Sequence, residues 1–189
     1  MKWLDAALGR TRLPRANLDA FFALTTAQAT LQAELGLQAA GKAGVCFKPV
    51  TSSDYRATEI TARELVGLAV QEFNSEITEQ DDTYGYKWYV FTDPQFEDLA
   101  SLVHLVSKTF MDEAYSEQLL TAVFKFWEPE GRTLYLAYNY KRGSFYPFAP
   151  IGDRARDNAL EIRLSSLMAR ELPLEKEPGR WYPIWDCPV

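Results

Sequence analysis

Two rhythms of apolar positions run along the chain. In short runs nearly every residue is aromatic or aliphatic; in longer stretches apolar residues recur every three or four positions. The run GYKWYVFT at 85–92 is dense in aromatic and β-branched residues and predicts a strand. Residues 119–127 and 132–140 predict two more, joined by EPEG, where Gly131 supplies the positive φ that a hairpin turn wants. GVCFKPV at 44–50 predicts a short strand that Pro49 pushes toward a sheet edge. The helical period is clearest after Asp93 and Pro94, a cap and a first-turn proline, where Phe96, Leu99, Leu102, Val103, Val106 and Phe110 share one face. Residues 61–73 predict a second helix, with Leu65, Leu68, Ala69 and Phe73 on its buried face. Asn17 is a cap for a helix over 18–24, and Thr25 or Thr26 for another that reaches Leu35 and stops at Gly36. Asp153 caps a last helix to about Arg170, with Ala159, Ile162, Leu167 and Met168 apolar. Residues 75–83 are acidic and read as an exposed loop that ends a strand.

Strands and helices mix without a regular βαβ rhythm, and the best-marked strand pair is a hairpin. The expected fold is α+β: one domain over 16–189, an antiparallel sheet of about four or five strands, and helices on one side. The closing WYPIWDCPV, with Trp181 and Trp185, is expected to cover an apolar surface in extended form. The 189 residues are 47% hydrophobic and 24% charged, a globular balance that excludes global disorder. Net charge is −6, so general binding to a phosphate backbone is disfavoured. Residues 1–15 differ. Lys2, Arg10, Arg12 and Arg15 against Asp5 give them +3, leaving −9 on the other 174. Trp3, Leu4 and Leu8 fall at helical spacing there. With Arg10 and Arg12 they are candidates for contact with an anionic membrane surface; the alternative is packing on the domain with solvated arginines. Without an export signal or a membrane span, and with Cys46 and Cys187 far apart, the expected location is the cytoplasm, with possible peripheral membrane contact, and the expected state of the cysteines is two free thiols.

Catalytic chemistry finds little footing. His104 is the sole histidine, flanked by Val103 and Leu105, and no GxSxG elbow accompanies it. One histidine and two isolated cysteines do not make a zinc set. No phosphate-cradling glycine motif occurs, so neither a metal nor a cofactor is expected. Asp81-Asp82 and Asp112-Glu113 are adjacent carboxylates; a small carboxylate-dependent enzyme is the least favoured reading, and solvated faces are the plainer one.

The stretch YKRGSFYPFAPIGD at 140–153 supports two readings. As a latch, its rings fill the space between the hairpin and the last helix. As a recognition surface, Lys141, Arg142, Gly143, Phe145, Tyr146, Phe148 and Arg156 would meet a protein partner, since arginine beside tyrosine is the composition of interface hot spots.

Several stretches resemble the PspA-associated protein PspAB family in order: MKWLDAALGRTRLP, LDAFFALTTAQATLQAELGL, GKAGVCF, DDTYGYKWYVFTDPQFEDLASLVHLV, YNYKRGSFYPFAP, GDRARDNALEIRL and RWYPIWD. The resemblance implies association with phage shock protein A, a coiled-coil protein of membrane-stress responses, or with a membrane-bound metalloprotease. It implies no catalytic activity. Its signature positions here are Trp3, Leu4, Lys141, Arg142, Gly143, Phe145, Tyr146, Pro147, Phe148, Asp153, Arg156, Asp157 and Asn158. The helix-on-sheet order is also similar to that of secretion chaperones. The expected function is a non-catalytic adaptor of a phage-shock system; peripheral membrane binding is the alternative.

Overall fold

The computed structural model describes residues 16–129 and 131–189; the expectations for 1–15 lie outside them. Helix α1 (Ala20–Leu35) leads to β1 (Gln38–Phe47), α2 (Ser53–Phe73), β2 (Glu76–Asp81), β3 (Lys87–Thr92) and α3 (Phe96–Asp112). Strands β4 (Leu119–Trp127), β5 (Thr133–Asn139) and β6 (Ser144–Phe148) follow, then the short pair β7 (Pro150–Ile151) and β8 (Ala155–Arg156), and α4 (Asn158–Met168). Six strands form one sheet in the order β2-β3-β1-β4-β5-β6, and every neighbouring pair is antiparallel. The α+β expectation holds, with one strand more than the upper bound.

Period-two alternation sends side chains to both faces of the sheet, and both are covered. Val45, Phe47, Tyr89, Phe91, Phe124, Leu136 and Tyr138 pack under the helices. Cys46, Trp88, Val90, Val123, Ala137 and Tyr146 point the other way and meet Trp181 and Val189 of the tail. Two-sided burial is why the strands read as continuous apolar runs.

Several local expectations are corrected. The proposed break at Thr25 is absent because its hydroxyl donates back to the Phe22 carbonyl at 2.8 Å, which keeps the turn helical; Asn17 accepts from the Asp19 N–H at 3.2 Å ahead of the first turn. β1 is not an edge strand. It begins at Gln38, lies between β3 and β4, and ends before Pro49, so the proline removes no ladder bond. Helix α2 starts at Ser53, where the Ser52 hydroxyl accepts the Tyr55 N–H at 3.2 Å. Residues 76–81 are a full edge strand, whose charges discourage further pairing. Asp93 accepts from the Gln95 N–H at 2.7 Å, and α3 begins one residue later, past Pro94. Asp153 does not cap the last helix. It lies in the β7–β8 turn, and Asp157 caps α4 by accepting the Leu160 N–H at 3.0 Å.

Residues 181–189 lie across the second face as an irregular strap. Its end is seated closely: a Cβ on Gly44 would stand 2.7 Å from Val189 Cγ2 and 3.1 Å from the Tyr89 carbonyl oxygen. Lys125 Nζ and the Tyr135 hydroxyl donate to the Val189 main-chain oxygen at 3.2 and 3.3 Å. Gly44→Ala is therefore expected to lower unfolding free energy by about 1–3 kcal/mol, read from urea denaturation; an unchanged midpoint would mean that the strap yields freely.

Candidate functional site

The sequence placed a candidate surface at 140–153, and the structure divides it. Residues 140–143 make the β5–β6 turn: Arg142 and Gly143 N–H groups donate to the Asn139 carbonyl at 3.1 and 2.8 Å, and Gly143 takes φ 63°. Residues 144–148 are not a loop but strand β6. Phe145 is buried on the helical side, its ring 4.8 Å from Tyr138. Tyr146 is buried on the strap side. Phe148 is buried too, 4.8 Å from Trp185 edge-on, with the Arg156 guanidinium 5.1 Å from its ring centre. These three aromatics cannot meet a partner in this conformation, because a strand buried on both faces has no free side.

The two arginines are occupied as well. Arg142 pairs with the buried carboxylate of Glu175, which sits where 173–175 runs beside β6: Phe145 N–H donates to Pro173 and Glu175 N–H donates to Phe145, each at 2.8 Å. Arg156 donates through Nε to Glu161 at 2.9 Å, through Nη1 to the Trp181 carbonyl at 2.6 Å and through Nη2 to Pro147 at 3.4 Å. Glu161 is 1% exposed and also accepts the Ala149 N–H at 2.8 Å. One guanidinium thus ties β6, α4 and the strap together, which is the latch. Of the seven candidate partner residues only Lys141 is exposed. The membrane candidates Trp3, Leu4, Leu8, Arg10 and Arg12 lie outside the described residues.

The exposed apolar surface lies elsewhere. Helix α2 buries Tyr55, Thr58, Ala62 and Val66. Leu65 and Leu68, expected inside, point outward instead, at 41% and 66% exposure, with Ile60 at 51%. The helical period puts Ala57, Ile60, Glu64 and Leu68 on the arc opposite the buried one, with Leu65 at the margin between the two. The apolar pattern of 61–73 contained two faces, and the sequence could not say which one the sheet takes.

Catalytic groups do not converge. His104 packs its ring 5.0 Å from Phe22, and burial holds its imidazole below the ordinary value. Asp112 pairs with Lys108 at 2.7 Å on the surface. Cys46 and Cys187 are free thiols. Among the described residues no group of three or more His, Cys, Asp and Glu could hold a metal, and no helix is long and apolar enough to cross a membrane.

The family model of PspA associated protein B matches residues 1–189, the whole chain. The chain belongs to this family. No curated protein and no solved structure matches it. The family's name indicates association with PspA, and with it a phage-shock-related accessory role. Within this chain, the signature residues Arg142, Phe145, Tyr146, Phe148, Arg156 and Asp157 have structural work: ion pairs, two-sided packing and a helix cap.

Arg156→Ala would strand a buried carboxylate. It is expected to cost about 3–5 kcal/mol in denaturant unfolding. Adding Glu161→Gln, which removes the charge and keeps an acceptor for Ala149, should recover part of that loss. No recovery would show that the arginine acts through packing alone.

Proposed function

We propose that this chain is a non-catalytic, cytoplasmic accessory protein of a phage-shock, membrane-stress system, and that it binds a PspA-type partner through the outward face of α2. The observation that carries the reading is Ile60 and Leu68 exposed on one outward face of a well-formed helix, with Leu65 exposed beside Leu68, in a chain whose family is named for association with PspA. The partner that the resemblance implies is a coiled-coil protein. Helices pack by setting side-chain ridges into grooves, and Ile60, Glu64, Leu68 and Glu72, four residues apart, form such a row with two aliphatic members. Its two glutamates favour a basic partner face.

The test is calorimetric titration of the purified PspA-type protein into the intact chain and into Ile60→Asp/Leu68→Asp. Both sites are exposed, so the variant should keep its melting temperature. Its affinity is expected to fall at least about tenfold, near 1.4 kcal/mol. Equal affinity would remove the α2 face from the proposal. A membrane-bound metalloprotease, the other partner implied by the resemblance, is the parallel titrant; binding there alone would reassign the partner.

A second reading rests on residues 1–15, whose +3 charge stands beside Trp3, Leu4 and Leu8. In this reading they hold the protein on an anionic membrane surface. Co-sedimentation with anionic vesicles is expected to weaken with added salt and to vanish when residues 1–13 are deleted. Sedimentation unchanged by the deletion would sink it.

A further inference from the structure

A cavity of about 390 Å³ lies on the sheet face opposite α2, between β3, the β2–β3 turn and the strap. Its size is within the range of small-ligand sites. Its walls are aromatic: Trp88 from the sheet, Tyr84 and Tyr86 from the turn, and Trp185 from the strap. Asp81, Asp82 and Asp186 also line it, and no lysine or arginine does. Asp81 stands opposite Lys87 on the β2–β3 ladder and shares its face, where Lys87 pairs with Glu59 of α2, so the carboxylates on the cavity side are Asp82 and Asp186. Among the described residues neither Asp81 nor Asp82 has an ion-pair partner within 4.0 Å, and Asp186 meets only the exposed Arg154, at 3.8 Å.

Asp82 is fixed rather than free. Its Oδ1 accepts the Tyr84 and Tyr86 N–H groups at 2.8 and 3.0 Å, and its Oδ2 accepts the Trp88 indole N–H at 3.2 Å. The carboxylate therefore shapes the turn and holds one ring of the cage, with lone pairs to spare. Cys46 of β1 contributes an apolar wall. It is 3% exposed, lines the cavity, and its thiol has no hydrogen-bond partner among the described residues. The charge of Asp82 reaches it: after burial, that carboxylate is the next cause that pushes the thiol upward.

We infer that this cavity is a binding site for an organic cation, an ammonium or guanidinium group seated against Trp88 and Trp185 and neutralised by Asp82 and Asp186. Aromatic faces attract a cation through the ring quadrupole, and the attraction grows as water is excluded. A bare metal ion gains little from rings, so the walls select a charge carried on an apolar body. Two sources share this chemistry: a free organic ammonium, or a basic side chain of a peptide. The site lies across the sheet from α2 and does not depend on the proposed partner reading.

The experiment follows the Trp88 and Trp185 indole N–H signals by NMR on the full chain. Three probes are titrated: choline, its neutral tert-butyl isostere, and acetyl-glycyl-arginyl-glycinamide. At least one cation should shift both indoles at millimolar concentration while the isostere does not. Asp186→Asn, at an exposed position whose positive φ asparagine also accepts, is expected to weaken the cation several-fold, and Trp185→Ala likewise. A tighter peptide assigns the site to a basic side chain; tighter choline assigns it to a free ammonium. Cation and isostere binding alike, neither cation shifting the indoles, or Asp186→Asn leaving affinity unchanged would each overturn the inference.

Discussion

Burial on both faces of the central strands is the constraint on which the rest of the molecule depends. β1 lies between β3 and β4 with Val45 and Phe47 on one side and Cys46 on the other. Each large apolar side chain contributes about 1.5–3 kcal/mol only if something covers it. The helices cover the first face. Among the described residues no helix covers the second, and the strap does so with Trp181 and Val189. The cover has to be held, because an irregular segment has few main-chain bonds of its own. Arg156 holds one end at Trp181, and Lys125 with Tyr135 holds the other at Val189. The aromatic and basic residues of 140–156 are therefore the fastening of a two-sided sheet.

Some of this was legible in the chain. GYKWYVFT and the hairpin around Gly131 specify strands through composition and turn chemistry, which are local properties. The tail's tryptophans signalled a covering role because an extended apolar segment has few other uses. Other features depend on what packs against what. Leu65 and Leu68 match a buried helical face as well as Ala62 and Val66 do, and only the sheet decides between them. Asp153 and Asp157 are both competent caps, and the choice falls to Asp157 because Asp153 sits in the turn before β8, which uses residues between them. Phe145, Tyr146 and Phe148 read as an aromatic surface because sequence does not show a second covered face. Family resemblance reached further than these residues, since it rests on the whole chain rather than on any one element.

Three surfaces emerge with different chemistry. The α2 face is aliphatic and exposed, suited to another helix. The strap cavity is aromatic and acidic, suited to a cation. The 140–156 region is occupied internally. The arginines and Tyr146 of the family signature secure the frame that presents the other two.

The strap also follows every strand of the sheet along the chain. During synthesis all six strands leave the ribosome before residues 181–189 do, so Trp88, Val90, Val123 and Tyr146 lack their native cover until that strap emerges. In that interval the nascent chain carries a half-finished core open to water, with the apolar exposure that chaperones recognise. Closure of the second face thus waits on translation of the strap.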